Sequence, residues 1–152
     1  MYMGYLIMMN HFQGLYKERL AAWISLRTTA QGLSTLDTCV MVDDWWQHAP
    51  LVTHHLHPQD VRNWPDPWTL LDDNVYCTLA RALGMVYTLS MLGIDSSLVQ
   101  ASDDHGEDHF LVIVNKQYVL NYWPGTVKDN KLSNFRQRKR FDLTDVLAKL
   151  VG

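Results

Sequence analysis

Cysteine is scarce: the 152 residues hold two, Cys39 and Cys77. Two thiols make no disulfide framework, so the expectation is a reducing compartment with both cysteines free. No apolar run approaches the roughly 20 residues that a membrane-crossing helix needs. The apolar start, "MYMGYLIMMN", is too short to span, lacks a basic leader and lacks a small-residue cleavage site. No signal peptide and no membrane partner are expected, and Met1, Met3, Met8 and Met9 can each serve as a start. Charge of one sign is also missing. A net charge of −3 argues against nucleic-acid binding by bulk electrostatics. There is no internal repeat, no low-complexity run and no linker, so residues 1–152 are read as one domain with an N-terminal helical extension over about 10–65.

What is present is a core. The chain is 47% hydrophobic and 19% charged, enough apolar material to fold. Phe12, Leu15, Tyr16, Leu20, Trp23, Ile24 and Leu26 recur at helical spacing, with Gly32 as a stop. Ser34 opens a second helix carrying Leu36, Val40, Met41 and Trp45, which ends at Pro50. Asp66 caps a short helix with Pro67 in its first position. Asn74 is then read as the cap of a longer helix that runs to Gly93 and places Cys77 in its first turn. "SLVQAS", "HFLVIVN" and "YVLNYW" read as strands, and "FDLTDVLAKLVG" as a last helix capped by Asp142. Helices first and a small antiparallel sheet after them make an α+β fold: a central Cys-bearing helix on the sheet, with N-terminal helices alongside.

A cysteine at a helix start meets unpaired backbone N–H groups that favour its thiolate. A nucleophile also needs a base within hydrogen-bond reach, and the base an orienting group. His109, opening a strand, is the candidate base; Asn121, in the next strand, is the candidate orienter. Hairpin register decides whether they can meet. A two-residue turn sends Asn121 to the wrong face; a three-residue loop over 115–117 puts both on one face. The sequence permits either.

Cys77 at a helix start, "GID" at the helix end, His109 opening a strand and a polar Asn121 in the next resemble the transglutaminase-like, papain-like cysteine fold. The resemblance covers roughly residues 74–124. It implies a catalytic Cys77, His109 and Asn121 acting on an amide or ester carbonyl, with no cofactor. Oxyanion candidates are the Cys77 N–H with Asn74 or Trp68. "NWPDPWTLLDDNVYCTLARALGMVYTL" and "YVLNYW" also resemble segments of small proteins of tailed bacteriophages. That implies a host-cell cytoplasm or virion setting and protein partners. The sequence departs from the enzyme pattern in having Val75-Tyr76 before the cysteine in place of a Gly-x turn.

The departures support a second reading, a non-catalytic structural or assembly component that keeps the fold as an interaction scaffold. Arg136, Arg138, Lys139 and Arg140 then join the tryptophans as candidate partner contacts. Cys39, between Leu36 and Val40, reads as core. The histidines of "HHLH", His54, His55 and His57, have no partner at zinc-site spacing, and "DDHGEDH" lacks the spacing of a calcium loop, so no metal site is expected.

Phe110, Val112 and Val114 share one strand face, and His109, Leu111 and Ile113 the other. Apolar faces on both sides predict a central, doubly covered strand. Val112→Asp is therefore expected to destabilise the fold by more than about 4 kcal/mol, through an unpaired buried charge. Thermal melting checks this: a soluble variant with an unchanged midpoint refutes it.

Overall fold

The computed structural model describes residues 10–52, 56–123, 126–129 and 135–151. After a single 3-10 turn at His11–Gln13 come helices α1 (Tyr16–Ala30) and α2 (Thr35–Gln47). Then follow α3 (Pro67–Asp73), α4 (Thr78–Met91) and strands β1 (Ser96–Ser102), β2 (Asp108–Val114) and β3 (Tyr118–Trp123). β4 (Thr126–Asp129), β5 (Arg136–Arg140) and α5 (Thr144–Ala148) complete the fold. The strands form one antiparallel sheet ordered β4-β3-β2-β1-β5, with β2 in the middle. The architecture is α+β, with helices packed alongside the sheet.

Local chemistry explains the boundaries. The Ser34 side chain accepts from the Asp37 N–H at the start of α2. Asp66 accepts from the Thr69 N–H, and Pro67 follows it. Gly93, at φ +78°, closes α4 while the Ile94 N–H reaches back to the Leu89 carbonyl.

Asn74 takes a different role from the one its sequence context suggests. It sits in the left-handed region at φ 55° and ends α3, its N–H on the Leu70 carbonyl. Tyr76 then runs extended, bridged to Leu51, and α4 begins at Thr78 with Cys77 as its N-cap. The two helices must turn apart, and an asparagine tolerates the left-handed turn that separates them. Arg19, buried in α1, secures the end of α3 by donating to the Leu71 and Asp72 carbonyls at 2.6 and 3.1 Å.

The main core lies between the helices and one sheet face, and contains Phe110, Val112 and Val114 from β2 or packed against it. A smaller cluster of Val99, Ala101, Leu111, Ile113 and Val119 covers the opposite face, with Tyr122 and Phe135 against it. "RQRKR", which carries the candidate partner contacts read from sequence, forms β5. Its five side chains are all exposed, yet its backbone pairs with β1.

One polar node sits in the main core. The Trp23 and Trp46 indoles both donate to the Thr88 hydroxyl at 2.9 Å, and that hydroxyl donates to the Gly84 carbonyl at 2.8 Å. All three side chains are fully buried. Thr88→Val keeps the shape and removes the acceptor, leaving two indole donors unpaired at about 1–3 kcal/mol each. Denaturant unfolding is expected to register that loss, and Thr88→Ser to restore most of it. A valine variant as stable as wild type refutes the assignment.

Candidate functional site

The site begins at the β2–β3 hairpin. Val114 pairs with Tyr118, so the loop has three residues, with Asn115 and Lys116 both near φ +56°. The ladder continues to Val112 opposite Leu120, and there Asn121 breaks it at φ 64°. Its N–H donates to Asp43 Oδ1 at 2.8 Å. Its carboxamide donates to the Phe110 carbonyl at 2.8 Å and the Thr78 carbonyl at 3.0 Å, and accepts from Gln47 at 3.1 Å. Asn121 thus ties α2, α4 and β2 together.

His109 has another partner. Its Nε2 lies 2.9 Å from Asp103 Oδ2, in the β1–β2 connection. The ring meets Tyr122 and Phe135 edge-on, at centroid distances of 5.3 and 5.7 Å. Among the described residues the carboxylate paired with the imidazole is Asp103, where the sequence reading gave the orienting part to Asn121. The hydrogen bond from His109 holds the Asp103 carboxyl below its ordinary value, helped by the His105 and Glu107 backbone N–H groups. Nothing in the motif spacing marked Asp103; it comes to His109 through the turn closed by Gly106 at φ 80°.

Along β2, His109 alternates with Phe110 and shares its face with Leu111 and Ile113. Cys77 belongs to the main core and is 9% exposed. Of the first turn of α4, it is Thr78 and Arg81 that line the polar pocket of about 230 Å³ where His109 and Asn121 meet. Gln47, Leu51, Asp108, Phe110 and Tyr122 complete its wall. The structure therefore brings His109 and Asn121 to one pocket, with Thr78 as the exposed residue of the helix start.

The oxyanion candidates lie elsewhere. Asn74 donates to the Phe12 carbonyl at 2.9 Å, and Trp68 packs edge-on against Trp23. Neither lines the pocket. His54 and His55 lie outside the described residues. Cys39 is fully buried, and desolvation together with Asp43 pushes its thiol up to about 12. Among the described residues, Asp103, Glu107 and His109 group three ligand-type atoms within 4.8 Å. Two are already committed to their own hydrogen bond.

The fold is shared with solved structures of LapG, whose fold is transglutaminase-like. The chain superposes on Legionella pneumophila LapG with a TM-score of 0.71 at 13% identity, over 90% of each chain. EGTA-treated Legionella pneumophila LapG gives 0.66 at 12% identity, over 84% of this chain and 74% of that one. The sequence matches no family model and no curated relative.

Asp43 underlies the pocket. It is 1% exposed, and desolvation raises its carboxyl above the ordinary 3.8, offset in part by the Asn121 N–H, Gln47 and Arg81. A raised native value means that the folded state holds the proton more tightly. That contribution is full below 3.8 and is lost as pH rises through the native value. Asp43→Asn keeps an acceptor for the Asn121 N–H and carries no titration. Denaturant unfolding across pH 4–7 is expected to show the variant gaining on wild type as pH rises. A stability difference independent of pH overturns this.

Proposed function

We propose that this chain uses a transglutaminase-like fold as a protein-interaction module without cysteine catalysis. One observation carries the reading: the start of α4 offers Thr78 to the pocket of His109 and Asn121, while the Cys77 side chain lies in the main core. Acyl transfer by a thiol needs the sulfur within hydrogen-bond reach of its base and open to a carbonyl carbon. A sulfur packed in the main core, with Thr78 and Arg81 in its place on the pocket wall, supports the reading that it is closed to a carbonyl carbon. Asn121 supports the same conclusion, since its carboxamide joins three elements. The resemblance of "NVYCTLARALGMVYTL" and "YVLNYW" to tailed-phage segments adds a setting to the proposal: assembly with other proteins of a virion or its precursor.

A second reading has its own observation. The fold is shared with LapG, the resemblance to the transglutaminase-like, papain-like fold implies a cysteine enzyme, and His109 with Asp103 forms an oriented base beside the start of α4. In that reading Cys77 attacks the carbonyl carbon of an amide or ester. The histidine takes the thiol proton, returns it to the leaving group and then activates water to release the acyl enzyme.

Alkylation separates the two. Native protein is treated with iodoacetamide at about pH 7, and modification of Cys77 and Cys39 is followed by mass spectrometry. The module reading expects both thiols to react only as fast as the protein unfolds, and His109→Ala to leave the Cys77 rate unchanged. Rapid, selective modification of native Cys77, slowed by His109→Ala, overturns it in favour of the enzyme.

A further inference from the structure

β5 is the last strand on its side of the sheet, so it has one hydrogen-bonded neighbour, β1. Among the described residues, no strand takes up the backbone donors and acceptors of its other edge. All five residues, Arg136, Gln137, Arg138, Lys139 and Arg140, are exposed. Four positive charges in five residues stand on a chain whose net charge is −3. Two of the four are tethered. Arg138 donates to the Ser102 hydroxyl at 3.2 Å, and Lys139 reaches the Pro58 carbonyl at 3.4 Å and covers the Phe141 ring. The guanidiniums of Arg136 and Arg140 have no hydrogen bond or ion pair among the described residues. A cleft of about 470 Å³ opens beside Arg140, lined also by Ser96, Ser97 and Thr144, with room for an incoming side chain.

We propose that β5 is a docking edge for an extended acidic peptide segment of a partner protein, which adds to the sheet as a sixth strand. The backbone edge supplies ladder hydrogen bonds, and the free guanidiniums supply selection for carboxylates on the incoming strand. The β1–β5 register shifts between Gln100 and Ala101, with Arg136 opposite Ser102 and Arg140 opposite Val99, so the two guanidiniums stand on opposite faces of the edge and a segment with Glu on both of its faces meets both. A nucleic-acid backbone is the poorer match. β5 carries no aromatic residue on which a base can stack, and the chain as a whole repels a polyanion. Charge on an edge strand also guards against self-pairing, and that use alone predicts no ligand.

The proposal rests on the interaction-module reading and deepens it. Its test reads β5 and not Cys77, so failure here and failure of that reading are separately visible. The probe is a fluorescein-labelled ten-residue peptide of Glu-Glu-Thr-Thr repeats, which carries Glu on both faces of a strand, followed by anisotropy against the full chain. Controls are the same peptide with Gln for Glu, the Glu peptide with alternate amides N-methylated, and a twenty-nucleotide single-stranded DNA as competitor. The Glu peptide is expected to bind and to weaken with added salt. Arg136→Gln with Arg140→Gln, the Gln peptide and the N-methylated peptide are each expected to cost about tenfold or more. Both substituted side chains are exposed, so the variant's fold, checked by circular dichroism, is expected to be unchanged. Equal binding by the N-methylated peptide overturns strand addition. Tighter binding of the DNA overturns the peptide assignment. No binding by any probe leaves the cations as guards against self-pairing and overturns the docking edge.

Discussion

The Thr88 hydroxyl is the point on which the helical layer depends. It takes two indole N–H groups from two different helices and passes its own proton to Gly84 one turn earlier. The same turn has no side chain at Gly84, where an added Cβ would lie 2.6 Å from the Trp46 ring. Trp46 therefore sits flat against α4, with its nitrogen satisfied and its face in contact. α1, α2 and α4 are held at one mutual depth by this single contact. A larger residue at 84 pushes Trp46 out; a missing hydroxyl at 88 strands two donors. Because α4 lies on β1 and β2, the node also fixes where the start of α4 meets the sheet.

A second node fixes what that start presents. Asp43, Gln47, Arg81 and Asn121 form one hydrogen-bonded and charged group between α2, α4 and the hairpin. Arg81 also donates to the Ala49 carbonyl at the end of the α2 region, 3.1 Å away. A buried carboxylate is costly unless it is paired and hydrogen-bonded, and here the backbone N–H of a left-handed asparagine is one of its partners. The strained turn and the buried acid each supply what the other lacks. The residue type that the hairpin pattern offered as an orienter is in this way spent on architecture.

The sequence made the helices legible because their caps and periodicity act locally. Ser34, Asp66 and Gly93 each do in the structure what their chemistry suggests. The three-residue hairpin loop was one of two registers the sequence allowed, and packing chose it. Asn74 was misread because asparagine serves equally as an N-cap and as a left-handed C-cap, and only Tyr76 pairing with Leu51 tells the two apart. β5 was missed because five polar residues carry no apolar alternation; its strand state comes from the β1 edge beside it. Asp103 was invisible for the same kind of reason: six residues and a turn separate it from His109, and no spacing rule joins them.

That one misreading at Asn74 bears directly on function. Starting α4 at Thr78 makes Cys77 the N-cap and not a residue of the first turn. In a helix each residue turns the side chain by about 100°, so a boundary displaced by a residue or two decides which side chain faces the sheet edge and which faces the core. Here the outward position falls to Thr78 and the inward one to the cysteine, whose neighbours Tyr76 and Leu79 are likewise buried. The thiol is small and apolar enough to fill that space. In this chain the cap is extended, at φ −116° and ψ −180°, and the cysteine is buried. The polar side chains on the pocket wall include Thr78, Arg81 and the His109 that pairs with Asp103.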